Sequence, residues 1–205
     1  MSLHLCKLKI LFIILCIANT TFAQQQTIVT LIKADSGWGK EVFYFPISFA
    51  PELKYKGYEE ARFPKGWAKK DSTSFWSYAF AWKIEATKSI TTKELVKNLT
   101  FYFDGLMKAQ SNNSSKKMPK TKVLLVQQSQ TNSRSNFKGK IQIFDAFTLQ
   151  APLLLYLTIE QVFCATKKQS ILLFRFSPKV PEHSIWVRLN ELAILDSIIK
   201  DGKCK

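Results

Sequence analysis

The acidic residues best placed to share a proton in this 205-residue chain are Glu59 and Glu60, flanked by Tyr58 and Arg62. Two carboxylates act together as acid and base when they stand about 5–10 Å apart across a cleft. Sequence neighbours usually point different ways, so the simpler expectation is an ion pair with Arg62 or Lys65. Asp145, inside Phe144-Asp145-Ala146-Phe147, is the other notable acid. An unpaired buried charge is costly, so Asp145 faces solvent, meets a structural partner or touches a ligand. An unusual acid-dependent hydrolase using Glu59, Glu60 or Asp145 is the reaction these groups would support. Other chemistries find less. A zinc site needs three or four clustered ligands, whereas His183, Cys164 and Cys204 are scattered. The chain has no GxSxG elbow, P-loop, GxGxxG or HExxH. Cys164 closes an apolar run, away from any electropositive helix start, which argues against a Cys164–His183 nucleophile pair. The expectation is therefore a non-enzymatic protein without metal or cofactor.

Aromatic side chains are the stronger binding candidates. Fourteen of the 27 Phe, Tyr and Trp residues fall between Trp38 and Trp82. Trp38 and Trp67 each follow a glycine, in Gly37-Trp38-Gly39 and Gly66-Trp67, where a ring can lie open to a flat ligand such as a sugar. With Tyr58, Arg62 and Asp145 they form the expected ligand-binding set. The competing expectation is that these rings cap the ends of the core.

The N-terminus resembles a secretory signal. Lys7 and Lys9 precede a short apolar core from Ile10 to Ala18, and Thr21-Phe22-Ala23 offers small residues before Gln24. The apolar run is too short to span a bilayer, which takes about 20 helical residues. The expected product is exported, periplasmic or extracellular after cleavage near Ala23, as one domain over 24–205 without a transmembrane anchor. In an oxidising compartment Cys164 and Cys204 are expected to form one disulfide. The formal net charge of +15 is uneven, since no Asp or Glu occurs from Gly105 to Phe144 while eight Lys and Arg do. Such a field attracts anionic partners. For an exported chain these would be another envelope protein or an anionic envelope component (phospholipid, lipopolysaccharide or acidic glycan) before nucleic acid.

The elements that must position these residues follow from periodicity. Thr27 to Lys33 reads as an edge strand. Glu41 to Phe49 alternates, with Pro46 confining it to an edge or a bulge. Ala50 to Thr73 reads as a long loop. From Trp76 to Ile84, rings alternate with small or polar residues, the pattern of a central strand running from Phe75 to Glu85. Thr91 and Glu94 stand in capping-box spacing before a wide apolar stripe, predicting a helix from Thr91 to Gln110. Thr121 to Val126 reads as a strand. Lys140 to Leu149, Leu153 to Cys164 and Ser170 to Ser177 read as an antiparallel meander. A final helix is expected from Ser184 to Lys200. The fold class is α+β: one mostly antiparallel twisted sheet of about six to seven strands packed by two amphipathic helices.

The run from Phe144-Asp145-Ala146-Phe147 through the meander to a terminal helix bearing Trp186, Leu189, Leu192 and Ile194 resembles the PsbP/Mog1-like α+β sandwich. The full chain is also similar to an uncharacterised family of exported bacterial proteins with GWG, FWSYAF-like and FDAF-like segments. The first resemblance implies an accessory role through binding other proteins and transfers no site residue. The leading expectation is an exported binding or accessory domain in the envelope, with a carbohydrate-binding module and an unusual hydrolase as alternatives.

Overall fold

The computed structural model describes residues 29–111, 118–131, 133–200 and 203–204. The expected signal segment, Lys116 and Lys117, and the side chain of Cys204 lie outside them. Seven antiparallel strands form the main sheet, in the order β2-β3-β4-β8-β7-β6-β5. Chain order explains this arrangement. β2 (Trp38–Tyr44), β3 (Gly57–Pro64) and β4 (Tyr78–Glu85) make one meander. Helix α1 (Thr92–Gln110) then carries the chain to the far edge. From there β5 (Lys122–Gln130), β6 (Arg134–Asp145), β7 (Ala151–Cys164) and β8 (Gln169–Ser177) return, and β8 pairs with β4 at the centre. The fold is the expected α+β class, and β4 is central as its pattern predicts.

Each face of the sheet carries its own core. On one face Tyr78, Phe80 and Trp82 of β4 stand opposite Phe176, Phe174 and Leu172 of β8. Phe80 and Phe174 lie 4.6 Å apart between centroids, and Tyr78 stacks on Phe176 at 5.2 Å. α1 lies over these rings through Leu95, Leu99, Tyr102, Phe103 and Met107. Its start is the expected capping box: Glu94 N–H donates to Thr91 Oγ1 at 3.3 Å, and Thr91 N–H donates to Glu94 Oε2 at 2.8 Å. Gly105 lets the chain at Phe49 pass against this helix, because a Cβ there would collide with the Phe49 carbonyl oxygen. On the other face the small Ala79 and Ala81 leave room for Leu31, Ile32 and helix α2 (Ile185–Glu191), which buries Ile185, Trp186 and Leu189.

Several elements differ from expectation: of Thr27 to Lys33, only Ile32–Lys33 is strand among the described residues and it pairs with Ala193–Ile194 outside the main sheet, and β6 runs from Arg134 to Asp145 rather than from Lys140 to Leu149. The segment from Ala50 to Thr73 contains β3; Glu59 and Glu60 make it look loop-like, yet both are fully buried with polar partners. β2 starts earlier than expected and ends at Tyr44, just before Pro46, which has no N–H for a ladder. The second helix stops at Glu191 rather than continuing to Lys200. Arg175 of β8 takes the carbonyls of Leu189 and Leu192, at 2.9 and 2.7 Å. β9 (Ala193–Ile194) then pairs with β1 (Ile32–Lys33), and β10 (Ile199–Lys200) with β11 (Lys203–Cys204). The apolar residues spaced for a helix there fill the second core from extended backbone.

Candidate functional site

Where α1 meets the β2 edge of the sheet, aromatic side chains enclose a cavity of about 290 Å³. Phe43 and Phe49 form one wall, Tyr102 and Leu106 of α1 another, and Phe63 of β3 and Tyr78 of β4 the floor. The remaining wall comes from two turns carrying Trp67, Trp76 and Phe147.

Local chemistry holds those turns in place. The turn after β3 is hydrogen-bonded back on itself, Trp76 N–H donating to the Trp67 carbonyl at 2.8 Å. Gly66 has φ +84°, a conformation that side chains rarely adopt. Trp76 itself has φ +50°, an outlier for a bulky residue that costs on the order of 1–3 kcal/mol and is typical of functional constraint. Asp145 closes β6 by accepting from the N–H groups of Phe147, Thr148 and Leu149 at 2.9, 3.1 and 2.8 Å. It is fully buried and fully used by that turn, so it does not reach a ligand itself. It positions Phe147, whose ring lies 6.2 Å from Trp67 and 5.6 Å from Trp76 and is 38% exposed.

Polar groups at the cavity are few. Glu41 stands exposed on the rim with Gln110. The Tyr78 side chain is 4% exposed, and its buried hydroxyl has no hydrogen-bond partner among the described residues. Burial, then the Glu59 charge, pushes that hydroxyl well above the usual tyrosine pKa, so it remains a neutral donor. Behind the wall, Glu59 accepts from Trp82 Nε1 at 2.6 Å and from the Tyr102 hydroxyl at 2.8 Å. Burial raises its pKa to about 7, against the lowering effect of those two bonds. Tyr102 stands between Glu59 and the cavity, and Glu59 does not line it.

Glu60 points to the opposite face. It accepts from Arg62 Nε at 2.7 Å and from the backbone N–H of Leu31 at 2.8 Å, and Lys40 Nζ lies 3.6 Å away. Tyr58 joins the same arrangement by donating to the Val29 carbonyl at 2.6 Å. Its pKa rises to about 12, first through burial and then through the Glu60 charge. Trp38 is buried on this face beneath the Arg188 guanidinium, 5.4 Å from the ring centroid. Of the expected ligand set, only Trp67 lines the cavity; Asp145 acts there through the turn that carries Phe147. Trp38, Tyr58 and Arg62 belong to the other face, so one flat platform cannot use the rings of Trp38, Tyr58 and Trp67 together. Glu59, Glu60 and Asp145 are likewise separated and do not form a carboxylate pair across a cleft.

Phe43, Phe63, Trp76, Tyr78, Tyr102 and Phe147 escape a reading by spacing because they converge from separate elements; the one signal was the density of rings itself. Among the described residues no three His, Cys, Asp or Glu cluster to hold a metal, and no helix is long and apolar enough to cross a membrane. No protein-family model, curated protein or solved structure matches the chain.

Proposed function

We propose that this chain is an exported, non-enzymatic binding domain that holds a compact, largely apolar ring compound in the aromatic cavity. The observation that carries this reading is the cavity itself, of about 290 Å³ and lined almost wholly by rings, among them Tyr78, whose buried hydroxyl has no hydrogen-bond partner among the described residues. A buried hydroxyl without a partner costs about 1–3 kcal/mol. The rings supply contact area, and Glu41 and Gln110 offer polar contacts at the mouth. The volume lies near the lower end of small-molecule sites, about 300–1,000 Å³, and suits one or two rings. The scarcity of polar lining groups favours such a ligand over a hydroxyl-rich sugar.

Tryptophan fluorescence titrated with 4-ethylphenol, 4-hydroxyphenylacetate, glucose and N-acetylglucosamine tests this reading. Saturable quenching by the phenols that Phe147→Ala weakens at least tenfold is the expected result. Saturation by the sugars alone would transfer the site to the carbohydrate reading, and a flat response to all four would remove the ligand.

Export and an accessory role in the envelope belong to the same proposal. The same proposal assigns Cys164 and Cys204 to one disulfide. A non-reduced peptide map of the secreted chain, starting near Gln24 and containing the Cys164–Cys204 cross-link, is the expected outcome.

A further inference from the structure

The sheet face opposite α1 is only partly covered. α2 lies against β8, leaving the outward side chains of β5, β6 and the start of β7 open. The pairing register fixes their arrangement: Leu124 of β5 lies beside Lys140 of β6, which lies beside Tyr156 of β7. In the next row Val126, Lys138 and Thr158 follow the same order. Leu124 is 67% and Val126 54% exposed, unusually open for large aliphatic side chains on a sheet. Gly139, between the two lysines, lets β5 approach closely, since a Cβ would strike the Leu124 carbonyl oxygen. Trp186, Pro181 and Asn190 form the opposing wall of a groove of about 540 Å³.

The charge of this groove has one sign. Glu160, the acid among the outward residues of β7, is already paired with Arg134 at 3.2 Å and Arg175 at 3.7 Å. Lys138 and Lys140 have no carboxylate within ion-pair distance among the described residues, and Lys140 instead lies 5.1 Å from the centre of the Tyr156 ring. Thr158 also lines the groove, and its hydroxyl, whose oxygen is buried, makes no hydrogen bond among the described residues. Aliphatic surface interleaved with unpaired ammonium groups is complementary to a molecule that is apolar along its length and anionic at one end.

We infer that this groove binds a single-chain anionic amphiphile, its acyl chain against Leu124, Val126 and Tyr156 and its carboxylate or phosphate between Lys138 and Lys140. This site is on the opposite side of the sheet from the aromatic cavity and does not depend on it. The probe is laurate below its micellar concentration, titrated calorimetrically into the secreted chain, beside dodecyltrimethylammonium and vesicles of phosphatidylglycerol. Laurate is expected to bind at one to one, with the cationic amphiphile at least tenfold weaker. K138Q/K140Q should lose at least tenfold in laurate affinity while its urea midpoint stays unchanged, and Phe147→Ala should bind laurate as the native chain does. Equal affinity for the two amphiphiles, full binding by K138Q/K140Q, or loss in Phe147→Ala would overturn the assignment. Binding to the vesicles without binding to monomeric laurate would also overturn it, by making the occupant a membrane surface.

Discussion

Glu59 and Glu60 are adjacent on one strand, equally buried, and stabilised in opposite ways. Glu60 faces the side of the sheet held by α2 and the N-terminal segment, where Arg62, Lys40 and the Leu31 N–H neutralise it. Glu59 faces α1, where its partners are the neutral Trp82 and Tyr102. The difference teaches what each face is for. Around Glu60 polar groups lock chain segments together, and each carboxylate oxygen is bonded. On the Glu59 side aromatic groups are packed around a cavity, and a carboxylate near neutrality and an unused hydroxyl remain beside it.

The largest expected effect comes from breaking the locked side. Arg62→Met leaves Glu60 buried without its closest cation, and loss of a partner from a buried pair costs about 3–5 kcal/mol. Urea denaturation reads this directly, and E60Q/R62M should recover part of the loss. The aromatic side should respond to pH instead. The folded pKa of Glu59 is raised from 4.5 to about 7, so the folded chain holds this proton more tightly than the unfolded chain. Its contribution is full below about 4.5 and declines as pH rises to about 7. The change is on the order of 3 kcal/mol, at 1.36 kcal/mol for each pKa unit. Glu59→Gln should flatten that part of a stability–pH curve, and Glu60→Gln should leave it in place.

How much of this was legible in the sequence depends on whether one element or several had to be seen together. The ring alternation of β4, the capping box of α1 and the meander of β6 to β8 are local patterns, and they predicted their elements. β3 was not legible, because a strand buried on both faces with a carboxylate on each lacks the apolar alternation that marks a half-buried strand. α2 was overextended because its end is set by Arg175, a residue of another strand. The cavity was legible only in part. Trp67 was a candidate, but Trp38, in an equally open-looking glycine context, is buried beneath Arg188. Tyr78 looked like scaffold, and only its neighbours across the sheet show that its hydroxyl has no partner.

Smaller effects sharpen the contrast. Thr91→Ala removes the cap of α1 and should cost about 1 kcal/mol, seen in thermal melts, without loosening the Glu60 side. Tyr78→Phe removes a buried hydroxyl that has no hydrogen-bond partner among the described residues, so stability should rise, by about 1 kcal/mol at the lower end of that group's cost, as urea denaturation would show.

The central claim, that ligand enters on the α1 face, is tested most directly by the tryptophan indole N–H signals of the 15N-labelled protein during addition of 4-ethylphenol. The account predicts saturable shifts at Trp67 and Trp76, which line the cavity, with Trp38 and Trp186 of the opposite core unmoved. Shifts at Trp38 or Trp186 with Trp67 and Trp76 unmoved would contradict it.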